Sequence, residues 1–451
     1  MEATEDQLPG LPEGDPLLPD VLRPELGLPP AHTREQTAAY HFFRLLAGAE
    51  QALLLWQENP EAPGLQDGRK KKSRFVEELL WREECRRKRL LASHGRDGPL
   101  LVLENSVAPP ALRSSAIPVV PALRALVRKL LDRPVSASLL DAYLRCPRQF
   151  FHERLVRLAP VAEVAEGEDP PATGRLLHAA LQEYYTSLLG ADLPAGKDLS
   201  PKRLRLAHQA LLAAFRGQPD YADLRRRLPA DAFAMLDAAA DIRLLHYIQS
   251  QPATRPLALE IPLAASFPFQ DSALTLAGAA DRLDLRPFIP ARGGREGLGL
   301  HILDYKTGRP AAPARDLWRD SSLWSRLDSW RPEEGNALLN ELADRLRSVQ
   351  LPLYLLLFSL ARSQGGLPPP LDALPDPDDL DAAWIPLGQG GEETALFASR
   401  MSPDERQEII QKRIPALVRF LLRHLTEISG FSPRPGPHCD WCFSRTLCTL
   451  R

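Results

Sequence analysis

The cysteines of this chain limit its possible folds more than any other residue type. Three of the five lie in one short C-terminal stretch, as Cys439-x2-Cys442-x5-Cys448. A close pair of thiols can chelate one metal centre, and a third can reach the same centre after one further turn of chain. Such a centre is still one thiolate short, and Cys146, nearly 300 residues upstream, is the best candidate for the fourth. The spacing therefore predicts a metal site that joins two distant parts of the chain.

Spacing by itself leaves the nature of this centre open. Four thiolates hold either zinc or an iron–sulfur cluster, and unrelated free thiols are the third possibility. Cys85, inside a basic helical segment, is predicted to stand apart from the set. Because the acidic N-terminus carries no secretory signal and no apolar run is long enough to span a bilayer, we expect a cytoplasmic protein with reduced thiols. A ligand set that closes so long a loop should make the fold depend on its metal.

Hydrophobic spacing places helices on both sides of one β region. Strand patterns occur at residues 257–261, 274–280, 282–285 and 300–305, and helical patterns dominate elsewhere. This order predicts an α/β fold with a small mixed sheet flanked by helices and a mostly helical N-terminal region. At 451 residues the chain is long enough for two domains, and we place them at 1–132 and 133–451. The connection over residues 284–300, rich in Pro and Gly, is expected to be a surface excursion.

Acidic residues and a lysine gather at the ends of two neighbouring predicted strands. Asp304 and Lys306 stand two apart on a strand, so their side chains project from one face. Asp281 ends the preceding apolar strand. Such a pair is often only a surface ion pair, but two carboxylates beside a lysine make a hard, oxygen-rich site suited to Mg²⁺ or Mn²⁺. A metal held there can activate water and stabilise charge on a scissile phosphate, while the lysine orients or deprotonates that water.

Two helical segments supply further candidates for the same site. His178 follows Gly174 at the start of a helix and is placed to point at the metal. Gln350 and Tyr354 stand at i and i+4 and so share one helical face. A lone histidine on a helix is usually packed, and an i, i+4 pair is unremarkable. These three residues indicate a functional site only in combination with the two acids.

Taken in order, these motifs resemble the PD-(D/E)XK nuclease domains of the RecB and AddB type, including their iron–sulfur subgroup. The resemblance runs through residues 136–151, 174–178, 278–281, 304–306 and 350–354 to the C-terminal cysteines. It implies a restriction-endonuclease-like core and a role for each matching residue. The implied metal ligands are His178, Asp281, Asp304 and the backbone carbonyl of Tyr305; Lys306 is the implied catalytic lysine, with Gln350 and Tyr354 supporting the site or the DNA; Cys146, Cys439, Cys442 and Cys448 are the implied ligands of a structural 4Fe–4S cluster. Glu260 matches a position that is commonly acidic in the family.

The resemblance also implies an activity. It points to a Mg²⁺- or Mn²⁺-dependent exonuclease that acts on single-stranded DNA ends in recombinational double-strand-break repair, beside a helicase or ATPase partner of the AddA type. Residues 1–132 resemble, more loosely, the late helicase-like region of AddB-type subunits. Because no G-x-x-x-x-G-K-[ST] motif is present, ATP hydrolysis is not expected. A formal charge of -2 gives no global sign of a nucleic-acid partner. A non-catalytic subunit that binds DNA ends within such a complex is the alternative.

Overall fold

The computed structural model describes residues 31–56, 72–91, 116–158, 170–288 and 297–449, apart from positions 309, 311, 315, 370, 390 and 399–400, together with a few positions before residue 29. The chain divides into two compact units, Met1–Pro110 and Ala111–Arg451. The family-based prediction of a helicase-like remnant at 1–132 stays a prediction. Within the described segments, no helix has the length and apolar character needed to cross a membrane.

Helices dominate both units. They are α1 (Ala31–Ala47), α2 (Arg74–Arg87), α3 (Pro121–Leu131), α4 (Ala137–Arg145), α5 (Pro147–Phe150), α6 (Pro170–Thr186), α7 (Pro201–Gly217), α8 (Pro219–Arg227), α9 (Ala230–Ser250), α10 (Ser321–Asp328), α11 (Gly335–Leu346), α12 (Gln350–Ser363), α13 (Pro403–Glu408), α14 (Ile414–Glu427) and α15 (Arg445–Thr449). The strands are β1 (Ile117–Pro118), β2 (Arg255–Phe269), β3 (Ser272–Phe288), β4 (Gly297–Lys306), β5 (Asp379–Pro386), β6 (Thr394–Ala395) and β7 (Gly430–Phe431).

The first unit is helical, as the sequence predicts. Its helices α1 and α2 pack around Phe42, Phe75 and Val76. The Ser73 hydroxyl accepts a hydrogen bond from the Phe75 amide at 3.2 Å and so caps the start of α2.

A five-stranded mixed sheet forms the centre of the second unit, in the order β2-β3-β4-β5-β6. Strands β2, β3 and β4 are antiparallel neighbours, β4 and β5 run parallel, and β6 returns antiparallel. In β4, Leu300 and Ile302 belong to one buried cluster, whereas Leu303 and Tyr305 belong to another. Helices therefore cover both faces, which confirms the predicted small mixed sheet flanked by helices.

Two details of the sheet differ from the sequence prediction. Pairing of β3 with β4 continues to Phe288 opposite Gly297, so the predicted excursion over 284–300 begins later than expected. The connection itself, 289–296, lies outside the described residues. Strand β5 has no counterpart in the prediction, because all eight of its residues are buried and two of them are aspartates. The guanidinium of Arg406 lies 2.5 Å from Asp379 and 3.0 Å from Asp381, and this pairing makes their burial possible.

Candidate active site

Three donor side chains converge where β2 and β3 pass beside α6. His178, Glu260 and Asp281 each place one donor atom within 4.8 Å of the others. The imidazole Nδ1 of His178 lies 3.5 Å from the Asp281 carboxylate. Helix α6 supplies the histidine, and the two strands supply the acids. Within the part of the chain that the structure describes, these three side chains form the group of His, Cys, Asp and Glu donors that is close enough to bind one metal ion.

Asp281 is fixed at the point where two strands separate. The pairing of β3 with β4 ends at Arg282 opposite Leu303. One residue further, the Asp281 carboxylate accepts a hydrogen bond from the backbone amide of Tyr305 at 2.6 Å. The side-chain oxygen of Asp281 thus accepts a hydrogen bond from a β4 amide that lies beyond the end of the β3–β4 pairing. This contact holds the carboxylate across from Asp304.

Asp304 is the most buried acid of the site and is 3% exposed. Its Oδ2 lies 2.5 Å from the ammonium of Lys306. Its Oδ1 accepts a hydrogen bond from the Gln350 side-chain amide at 2.8 Å, and the same amide donates to the Tyr354 hydroxyl at 2.9 Å. Burial and the nearby charge of Asp281 raise the pKa of Asp304 to about 6, although Lys306 acts in the opposite direction.

The same nearby negative charges also raise the pKa values of His178 and Glu260. Burial lowers the pKa of His178, but its hydrogen bond to Asp281 and the charges of Asp281, Asp304 and Glu260 outweigh burial and raise it. Burial, then the charge of Asp281, raises the pKa of Glu260. Glu260 and Asp304 therefore resist ionisation, and a cation bound beside them and Asp281 would stabilise the site. Their oxygen donors, with one imidazole, fit a hard divalent metal.

Glu260 reaches this group through an unusual backbone conformation. It is a non-glycine residue with φ 47°, two residues after the register irregularity between Pro256 and Ala258 in β2. Left-handed backbone is uncommon for such a residue and costs free energy where it occurs. The only sequence signal for Glu260 was the acidic family position, since strand alternation carries no information about a residue whose backbone leaves the strand conformation.

Gly278 explains how Tyr354 packs against the sheet. A Cβ atom at this position of β3 would lie 2.9 Å from Cε1 of the Tyr354 ring. The missing side chain therefore lets α12 approach β3 and carry Gln350 to Asp304.

A buried polar network supports Tyr305 from the opposite side. The fully buried guanidinium of Arg282 donates to the hydroxyls of Tyr247 at 2.7 Å and Tyr305 at 3.1 Å. It also lies 2.9 Å from the Asp284 carboxylate, which is itself fully buried. Sequence reasoning assigned no role to Arg282, Tyr247 or Asp284, because their burial depends on contacts between strands and α9.

The cysteines predicted to act together lie in one region of the second unit. The buried thiol of Cys146, at the start of α5, accepts hydrogen bonds from the backbone amides of Gln149 at 3.5 Å and Arg434 at 3.4 Å. The Arg148 side chain donates to the Leu447 carbonyl at 3.0 Å and so ties α5 to α15. The chain segments that carry Cys146 and Cys448 are therefore in contact.

Electrostatic interactions connect all four of these thiols. Burial raises the pKa of Cys448, Arg148 acts against it, and the charges of Cys146, Cys442 and Cys439 raise it further. Within the described segments, these sulfurs do not form a group as tight as the 4.8 Å cluster of His178 and its partners. Cys85 is exposed on α2, in the first unit.

Comparison with known families adds to this geometry. Residues 134–449 match the profile of the PD-(D/E)XK nuclease superfamily. The chain belongs to that superfamily. No curated protein matches it significantly. A solved structure named "Crystal structure of SSO0001" is similar over 72% of this chain and 94% of its own, at 11% identity and a TM-score of 0.22.

Within this superfamily match, Asp304-Tyr305-Lys306 is the predicted acid-x-Lys element, and Asp281 is the predicted preceding acid. The predicted fold class is thereby confirmed. The individual roles assigned to these side chains stay predictions, although their contacts agree with a metal-dependent hydrolytic site.

Proposed function

We propose that this protein is a Mg²⁺- or Mn²⁺-dependent exonuclease that hydrolyses phosphodiester bonds at single-stranded DNA ends during recombinational double-strand-break repair. The observation that carries the proposal is the pairing of His178 with Asp281 and of Lys306 with Asp304, together with the electrostatic interaction of Asp304 with Asp281 and His178. Membership of a nuclease superfamily supports the reaction class. The preference for DNA ends and the repair pathway rest on the RecB and AddB resemblance.

In this proposal, each side chain of the site has its own role. His178, Glu260, Asp281 and Asp304, with the Tyr305 carbonyl, would hold the cation. A divalent metal bound there lowers the pKa of water and neutralises charge on the scissile phosphate. Gln350 donates to Asp304 and keeps one carboxylate oxygen oriented.

Lys306 has a separate task. Its ammonium lies 2.5 Å from Asp304, and its side chain is 35% exposed, so Lys306 contacts both the predicted metal ligands and solvent. In this position it can orient the attacking water and stabilise negative charge on the phosphate.

A nuclease assay on anaerobically purified protein tests the proposal. Degradation of 5′-labelled single strands should require Mg²⁺ or Mn²⁺ and should be lost in Asp304→Ala and in Lys306→Gln. The exposed Asp271, on the β2–β3 turn, provides the matched control, and Asp271→Ala should keep full activity. Equal activity of the wild type and both site variants would reject the assignment.

The same assay separates this proposal from the second candidate function, a non-catalytic subunit that binds DNA ends. That function predicts tight binding of single strands without cleavage in any divalent metal. The intact pair of Asp304 and Lys306 favours the catalytic role.

We propose further that Cys146, Cys439, Cys442 and Cys448 bind a structural 4Fe–4S cluster. Backbone amides that donate to the Cys146 sulfur support this, because such hydrogen bonds are common around cluster thiolates. Four thiolates hold either zinc or a cluster, and the choice of the cluster rests on the resemblance to the iron–sulfur subgroup. Iron and sulfide analysis decides the question, since a colourless, zinc-loaded protein would contradict the cluster.

The proposed partner is an ATPase subunit of the AddA type. This rests on the resemblance of residues 1–132 to a helicase-like region and on the missing phosphate-binding motif. Purified protein mixed with an AddA-type subunit should elute as one complex in size-exclusion chromatography. Separate elution at micromolar concentrations would contradict the proposal.

A further inference from the structure

A cavity of about 840 Å³ adjoins the site on the side of Lys306. Lys306 and Gln350 form one part of its lining, and Thr307 and Gly308 extend the lining beyond the end of β4. The opposite part includes Arg145 from the end of α4, Arg347 from the end of α11, and Arg434 near the cysteines. The cavity is thus continuous with the predicted catalytic lysine and contains three guanidinium groups.

The three arginines differ in their acidic partners, and the charge of Arg145 acts on the Asp141 carboxylate, which also lines the cavity. Arg434 pairs with Asp344 and donates to the Arg145 carbonyl, so it has a structural role. Arg145 and Arg347 are exposed, and neither forms an ion pair with any residue that the structure describes. Cations left unpaired in a concave site attract an anionic ligand.

The backbone conformation of Arg347 indicates that its side chain has a function. Arg347 has φ 71° and ψ −42°, and the Ser348 amide donates to the Leu346 carbonyl at 2.9 Å. This is a classic-type γ-turn, a rare and strained conformation for a residue with a side chain.

Neighbouring contacts hold that turn in place. Leu346 and Val349 are both fully buried. The Asp141 carboxylate accepts hydrogen bonds from the Ser348 hydroxyl at 2.8 Å and the Val349 amide at 2.5 Å. Glycine would adopt the turn without strain, yet an arginine stands there and lines the cavity.

We propose that Arg145 and Arg347 form a phosphate-binding subsite that holds the DNA strand beside the scissile bond, on the Lys306 side of the metal. This inference rests on the proposed nuclease function and adds to it the path of the strand. Guanidinium groups bind phosphate oxygens through charge-assisted, often paired, hydrogen bonds. Such contacts position a strand without reading its sequence.

Two measurements separate this subsite from the chemistry. Binding of 5′-labelled oligothymidylate is measured in EDTA over a range of salt concentrations. Hydrolysis of the p-nitrophenyl ester of thymidine 5′-monophosphate in Mn²⁺ reports on the metal site, because this small substrate has no neighbouring phosphates. Arg145→Ala and Arg347→Ala should each weaken oligonucleotide binding about tenfold and reduce the salt slope by about 0.7. Hydrolysis of the ester should stay at the wild-type rate.

The matched control is Arg205→Ala, since Arg205 is an exposed helical arginine outside the cavity and without an ion pair to described residues. It should leave oligonucleotide binding unchanged. Wild-type affinity and salt slope in both cavity variants would overturn the subsite. If the wild type fails to hydrolyse both the ester and DNA, the nuclease proposal fails instead, while the binding comparison remains readable.

Arg347→Gly provides the sharper variant, because it removes the side chain and the backbone strain together. Its oligonucleotide affinity should fall as in Arg347→Ala, while its unfolding midpoint should equal or exceed that of the wild type. A glycine variant that keeps wild-type affinity would show that the side chain does not bind the strand.

Discussion

Asp304→Asn is expected to abolish cleavage and, at the same time, to stabilise the metal-free protein. The carboxylate of Asp304 is buried and lies among acids that repel it when no cation is present. Asparagine has nearly the same shape and keeps an oxygen that can accept the hydrogen bond from Gln350. The variant therefore loses the cost of a buried charge while it keeps the packing of the site.

The size of this gain follows from the pKa of Asp304, which burial and the charge of Asp281 raise from 3.8 to about 6. Because the folded state holds this proton more tightly than the unfolded state, stability falls as pH rises between these two values and is constant above them. A tenfold change in the ionisation constant corresponds to about 1.36 kcal/mol. Ionisation of Asp304 therefore lowers the free energy of unfolding by roughly 3 kcal/mol at pH 8 and by about half of that at pH 5.

Urea unfolding in EDTA at both pH values measures the difference between Asp304→Asn and the wild type. We expect the variant to be more stable at pH 8, by up to the full cost, and the advantage to shrink at pH 5. Addition of Mn²⁺ should stabilise the wild type strongly and the variant weakly. A variant that is less stable than the wild type in EDTA, or a difference independent of pH, would refute the reasoning.

Two further predictions concern packing and the cysteines. Gly278→Ala places a Cβ 2.9 Å from the Tyr354 ring, so it should lower stability by about 1–3 kcal/mol and also lower nuclease activity. The control is Gly217→Ala, where no atom lies within 4 Å of the added Cβ, and it should leave both stability and activity unchanged. Thermal melts and the nuclease assay measure the two effects. Cys442→Ser should abolish the visible absorption of the purified protein and lower its melting temperature, whereas Cys85→Ser should change neither, and unaltered absorption in Cys442→Ser would contradict the ligand assignment.

Local periodicity was sufficient to predict much of this fold. Ser136 precedes the apolar start of α4, and its hydroxyl accepts a hydrogen bond from the Leu139 amide at 3.3 Å and caps the helix. Asp304 and Lys306 share a face because side chains alternate along a strand, and Gln350 and Tyr354 meet because helical neighbours stand four apart.

Features that depend on tertiary contacts could not be predicted in this way. Strand β5 lacks an apolar alternation, because its two aspartates are buried through Arg406, which lies 20 residues beyond the end of the strand. Glu260 joins the site through a left-handed backbone that no strand pattern indicates. Asp141, which fixes the turn before α12, carries no motif of its own, because its role arises where α4 meets that turn.

Anomalous diffraction from Mn²⁺-soaked crystals tests the metal site most directly. The structure predicts one strong peak within coordination distance of the His178 imidazole and of the Asp281 and Asp304 carboxylates, with the Lys306 ammonium beside it. Crystals that bind Mn²⁺ only elsewhere, or in which these four side chains lie apart, would contradict metal-dependent hydrolysis at this place in the fold.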